Sequence, residues 1–151
     1  MPVETNVKPD AQFFSLRTPL LSDGRSDTLV ASTDLLRIRL KVYASGGENV
    51  LHRHTNEDHS FVVLQGQATF HIGEEDNVSV VNAYEGVMIP RMVAYWFQST
   101  ADENLVMLRS GAAEEWHDKA RLGADGNLLP GHSKENKHAE GVPVPGKFFG
   151  A

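Results

Sequence analysis

Apolar and polar residues alternate with period two along much of the chain before position 110. In Leu35–Tyr43, the residues Leu36, Ile38, Leu40 and Val42 fall on one face, and Arg37, Arg39, Lys41 and Tyr43 on the other. Phe61 and Val63 share a face with His59, and Ala68, Phe70 and Ile72 share another. Successive side chains of a strand point to opposite sides, so this pattern fits strands with one face against a core. It predicts strands at Asp27–Ser32, Leu35–Tyr43, Asn49–His54, His59–Leu64, Gln67–Ile72, Val78–Val81, Gly86–Ile89, Val93–Ser99 and Asn104–Arg109. Turn residues at Ser45-Gly46-Gly47, Gly73–Asn77 and Thr100–Asn104 punctuate them. That rhythm predicts an all-β antiparallel sandwich or barrel.

After Gly111 the pattern changes. Ala112–Leu122 is predicted as a short helix with Glu114, Glu115, Lys119 and Arg121 as its polar surface. From Gly123 onward the composition is that of an extended tail, whose Val142, Val144, Phe148 and Phe149 are candidates to pack on the barrel or a dimer mate. The expected organisation is one domain over residues 1–151, with the barrel core at 30–110 and a C-terminal tail at 111–151.

Composition narrows the chemistry. The 151 residues include no Cys, which excludes disulfides, thiolate nucleophiles and Cys-held zinc or iron–sulfur centres. A net charge of −6 with no basic run argues against nucleic acid or an anionic membrane as partner. No apolar run approaches the roughly 18 to 20 residues that span a bilayer. The polar, acidic start MPVETNVKPDAQFF lacks a signal-peptide pattern, so a cytoplasmic protein is expected.

Three of the seven His fall within eight positions, in His52-Arg53-His54-Thr55-Asn56-Glu57-Asp58-His59. His52 and His54 share a strand face. A hairpin through Thr55–Asp58 would bring His59 beside them. Three imidazoles on rigid strands, with positions left open, are a common form of catalytic divalent-metal site.

The segment resembles the first motif of the cupin superfamily, which runs Gly, five residues, His-x-His, three or four residues, Glu, six residues, Gly. Here Gly46, His52, His54 and Gly66 keep that spacing, and His59 stands where the family usually has its metal-binding Glu. The second motif is matched at Pro90 alone. Gly86 lies two residues too close to it, and Met92, Tyr95 and Ser99 replace the family's Gly, His and Asn. The resemblance covers residues 30 to 110 and implies a cupin double-stranded β-helix, a jelly-roll barrel, with a homodimer as the expected assembly. It implies one divalent transition metal ion per chain (Fe, Ni, Mn, Zn or Cu) on His52, His54, His59 and Tyr95.

Three neutral imidazoles leave such a centre near +2, which favours a small anionic ligand such as an enolate, carboxylate or catecholate. Tyr95 either coordinates or donates a hydrogen bond, since a phenol of pKa about 10 ionises only under a strong pull. The first functional reading is a mononuclear metalloenzyme doing dioxygenase-like, lyase or isomerase chemistry on a small oxygenated compound. The second is a metal-free acid–base isomerase or epimerase using His54 and Tyr95. The third is a non-catalytic small-molecule-binding module. Glu57 and Asp58 lie in the turn, and Asp58 reads as a solvated turn acid, or as a ligand if the loop shifts by one residue. His71, His117, His132 and His138 are expected outside the site. Arg37, Arg39 and Lys41 read as a solvated or interface face, or a rim that steers an anion. Phe61, Phe70, Met88, Phe97 and Met107 are candidates for core or pocket lining.

Overall fold

The computed structural model describes residues 10–116, 121–123, 125–127 and 140–150. Every strand expected above is present: β2 (Arg25–Ser32), β3 (Leu36–Tyr43), β4 (Gly47–His54), β5 (Asp58–Gln65), β6 (Gln67–Ile72), β7 (Asn77–Asn82), β8 (Gly86–Ile89), β9 (Tyr95–Ser99) and β10 (Leu105–Ala112). Three strands were not expected, namely β1 (Thr18–Asp23), β11 (Arg121–Gly123) and β12 (Val142–Phe149). The strands form two antiparallel five-stranded sheets, ordered β2-β3-β10-β5-β8 and β11-β4-β9-β6-β7, and a separate β1-β12 ribbon.

The expected helix at Ala112–Leu122 does not form in the described residues. Ala112 closes β10, and Arg121–Gly123 pairs with the edge of β4, opposite His54, Arg53 and His52. An open strand edge has backbone groups to satisfy, and β11 satisfies them. Residues 117–120, including His117, lie outside the described residues, as do His132 and His138.

One core fills the space between the sheets. It contains Tyr43, Phe61, Val63, Phe70, Val81, Ile89, Tyr95, Phe97, Leu105 and Met107. Its aromatic centre is tight: Phe70 stacks on Phe97 at 5.0 Å, and Tyr43 meets Phe97 edge-on at 5.4 Å. Met88, by contrast, is 66% exposed and lines no interior pocket. It sits opposite Ser60, on the outer face of β5–β8.

A second core lies on the outer face of the first sheet, where Leu40, Val42 and Val106 meet Leu21, with Leu16, Leu20 and Phe149 packed around them. The β1-β12 ribbon covers that face. Strand β3 is therefore buried on both sides over its second half. Tyr43 and Lys41 point between the sheets and Leu40 and Val42 under the ribbon. Lys41 is consequently buried, which corrects the expectation that Arg37, Arg39 and Lys41 form a solvated face. Of the tail residues named as candidates to pack on the barrel, Phe149 joins the second core, while Val142 is half exposed.

Asn104 fixes the ribbon in place. Its Oδ1 accepts from Leu21 N at 2.7 Å and its Nδ2 donates to Leu21 O at 3.0 Å, so one side chain mimics a strand partner. Two antiparallel sheets packed face to face, with the chain passing repeatedly from one to the other, make a jelly-roll barrel.

Candidate active site

The three clustered imidazoles meet across the barrel and not along a hairpin. Strand β4 belongs to one sheet and β5 to the other, so the short Thr55–Glu57 turn carries the chain between layers. His52 projects from β4 and His59 from β5, and both are buried. Tyr95 pairs with His52 in the β4–β9 register and is equally buried. Ring centroids lie 5.2 Å apart for His52–His54, 4.9 Å for His54–His59, 4.4 Å for His52–Tyr95 and 5.2 Å for His59–Tyr95. The structure thus brings His52, His54, His59 and Tyr95 into one group.

His52, His59 and Tyr95 each have a hydrogen-bond partner in or beside that group. His52 Nδ1 donates to Val50 O at 2.8 Å, because a carbonyl only accepts. His59 Nε2 and the Tyr95 hydroxyl share a hydrogen bond of 3.0 Å. His59 Nδ1 has no hydrogen bond of good geometry, and its nearest anion is Glu57 Oε1 at 3.4 Å. Burial, and after it the charges of Arg109, His52 and Lys41, push the His59 pKa down to about 2. His59 is therefore a neutral imidazole at any physiological pH.

Two buried groups beside the cluster were not singled out from the sequence as site residues. Glu57, in the turn, is buried and paired with Arg109. Arg109 sits on β10 in step with Leu105 and Met107, whose side chains lie in the core. That alternation is the signal that could have placed it inside, where a guanidinium needs a partner. Burial works against its charge, and Tyr95 and Glu57 nonetheless hold Arg109 above its usual value. Gly111 makes the room, since a Cβ there would lie 2.8 Å from Glu57 Oε1.

More charge lines the same sheet face. Lys41 Nζ lies 3.4 Å from Glu48 and 3.7 Å from Asp27, Arg25 lies 3.3 Å from Glu48, and Arg39 lies 3.2 Å from Asp27. With Arg109 and Glu57 these make four cations against three carboxylates.

The rim is tied down from the second motif. Asp58 is half-exposed and takes three hydrogen bonds from Arg91, which hold its carboxyl below the usual range. That engagement keeps Asp58 out of the cluster. Met92 N donates to His54 O at 2.7 Å, and Met92 holds φ at 72°. The left-handed backbone that suits the family's Gly is thus kept by a Met. His71 is on the far side of β6, stacked on Trp96 at 3.6 Å and bonded to Asp76.

The donor set suits a divalent transition metal in kind: imidazoles, two with Nδ1 turned to an oxygen acceptor, and a phenol. As the side chains stand, no three His, Asp or Glu among the described residues are spaced to share an ion. His59 Nε2 is turned to the Tyr95 hydroxyl instead.

Residues 39–110 match the family model described as Cupin domain. No curated protein matches the sequence. Among solved structures, an uncharacterized conserved protein with a double-stranded β-helix domain from Klebsiella pneumoniae is similar at TM-score 0.59 and 16% identity, over 70% of this chain and 93% of that one. A Streptomyces PAC13 variant with uridine is similar at TM-score 0.58 and 10% identity, over 78% and 92% of the two chains. The cupin domain of Schizosaccharomyces pombe Cnp3 is similar at TM-score 0.55 and 13% identity, over 59% of this chain and 64%, less than two thirds, of that one. The family model and the fold of these solved structures point together to the cupin superfamily for residues 39–110.

Proposed function

We propose that this cupin is a metal-dependent enzyme acting on a small, anionic, oxygenated compound. His52, His54 and His59 would hold one divalent ion, and the observation that carries this is the convergence of the three rings, with His52 fixed through its Nδ1 bond to Val50 O so that its other ring nitrogen is aimed away from that anchor. The ion would supply Lewis acidity, or a site for O₂ if it is iron or copper. The chain's own residues do the rest. His59 offers a neutral donor because burial and nearby cations keep it unprotonated. The excess cation of the inner sheet face attracts an anionic ligand. Tyr95 presents a hydroxyl that hydrogen-bonds the ligand or ligates the ion itself. The aromatic core below excludes water.

A second reading is favoured by the His59–Tyr95 hydrogen bond. Without metal, Tyr95 could donate a proton to a substrate, with His59 or His54 beside it, as in an acid–base isomerase. The binding of uridine by the PAC13 variant is in keeping with a cupin barrel that admits a small organic molecule. For assembly we propose a homodimer through the part of the first sheet's outer face that the β1-β12 ribbon leaves uncovered, where Leu36, Val62 and Met88 are exposed.

Elemental analysis of untagged protein purified without chelator tests the metal. About one transition-metal ion per chain, lost in His52→Ala and His54→Ala, is expected. Less than about a tenth of an equivalent after reconstitution with Fe, Mn, Ni, Cu and Zn overturns the reading in favour of acid–base chemistry. Tyr95→Phe then separates its two roles. Metal affinity falls if Tyr95 is a ligand, and rises if its hydroxyl competes for His59 Nε2.

A further inference from the structure

The cluster contains a carboxylate that the motif does not provide for. Glu57 lies two positions before His59, inside the turn between the sheets, and its side chain is folded inward over Gly111. It is buried, it is paired with the buried Arg109, and its Oε1 is 3.4 Å from His59 Nδ1. On the other side of the same ring, Nε2 meets the Tyr95 hydroxyl at 3.0 Å. The four groups form a row: Arg109, Glu57, His59, Tyr95.

We propose that Glu57, held by Arg109, is a positioning residue that fixes the tautomer and orientation of His59, with Nδ1 carrying the proton and Nε2 offering its lone pair to the site. The physical argument is one of sign. A ring nitrogen lone pair facing a carboxylate at this distance is repelled, while an N–H facing it is attracted. Burial removes the water that would screen either interaction. The neutral ring therefore places its proton on the Glu57 side. Its Nε2 is left as the acceptor, which Tyr95 now satisfies and which an ion would take. Arg109 pairs with the Glu57 carboxylate and holds it in place. Gly111 is part of the same device, because any Cβ there would press on the Glu57 carboxylate and the Arg109 guanidinium. A His in place of the family's Glu thus keeps a carboxylate next to the site, one bond further out. The purpose of the device rests on the proposed metal centre; the tautomer does not.

The test is the His59 imidazole tautomer, read from ¹⁵N NMR shifts of the metal-free protein, alongside metal affinity by calorimetry with Zn²⁺. The wild type is expected to show a protonated Nδ1 and an unprotonated Nε2. The paired variant Glu57→Leu with Arg109→Met removes both charges together, so no buried ion is left unpaired. It should move the proton toward Nε2 and weaken Zn²⁺ binding about 10–100-fold. Glu57→Gln keeps an acceptor of the same shape and should keep the wild-type tautomer. If the paired variant does not fold, Gly111→Ala displaces the carboxylate without removing it and should give the same change. An unchanged tautomer in a folded paired variant, or in Gly111→Ala, overturns the proposal. It would mean that the Glu57 main chain, which also reaches His59, sets the ring alone. Absence of Zn²⁺ binding by the wild type would count against the metal centre while leaving the tautomer result to stand or fall on its own.

Discussion

At the scale of single residues, the His cluster was legible because chemistry and spacing coincide. His52 and His54 share a strand face, and His59 follows at the motif's distance. Glu57 and Arg109 were not legible as a pair, because 52 positions separate them and only the fold makes them neighbours. Tyr95 was found through its motif position, and its bond to His59 rather than to His54 needed coordinates. The His59 environment predicts a pH dependence of stability. The folded pKa is pushed down to about 2, while the unfolded ring titrates near 6.5. Above that value both states are neutral and pH has no effect through His59. Below it the unfolded chain takes up a proton that the folded ring refuses, so stability falls by about 1.4 kcal/mol per pH unit at most. Urea unfolding of wild type and His59→Asn between pH 7.5 and 5 should show the shallower slope in the variant. Parallel slopes would mean that the ring accepts a proton in the folded state.

At the scale of elements, nine strands could be read from alternation and turns, and three could not. Strand β11 is three residues long, and β12 carries two Pro and a Gly that mask any period. Strand β1 has its apolar pair Leu20-Leu21 side by side, so it shows no alternation. Each depends on a partner distant in sequence. The inward face of β3 is hidden from the sequence for a related reason: a strand covered on both sides offers two candidate interiors, and alternation alone does not choose between them. Asn104 is the element-scale weak point. Replacing it with Ala removes two hydrogen bonds to Leu21 and should cost about 1–3 kcal/mol. Amide exchange should quicken in β1 and β12 while β3 and β10 stay protected. Equal quickening in all four strands would show that the ribbon is not a separate unit.

At the scale of the whole molecule, the barrel interior divides into an aromatic half and a charged half. The first supplies stability: Phe97 touches Tyr43, Phe61 and Phe70, and Phe97→Ala should cost about 3–5 kcal/mol. A melting temperature lower by roughly 10 °C is the expected reading, and a drop of under 2 °C would place the centre of the core elsewhere. The second half bears on how the chain finds its fold. A one-residue slip of β3 would carry Lys41 under the ribbon and Leu40 in among the carboxylates, so the wrong pairing is penalised on both sides of the sheet at once. Sheets with one wet face lack that double penalty. The cost of keeping ionic groups inside this barrel is therefore offset by pairing fidelity, and β3 proofreads its own alignment as the sheet zips together.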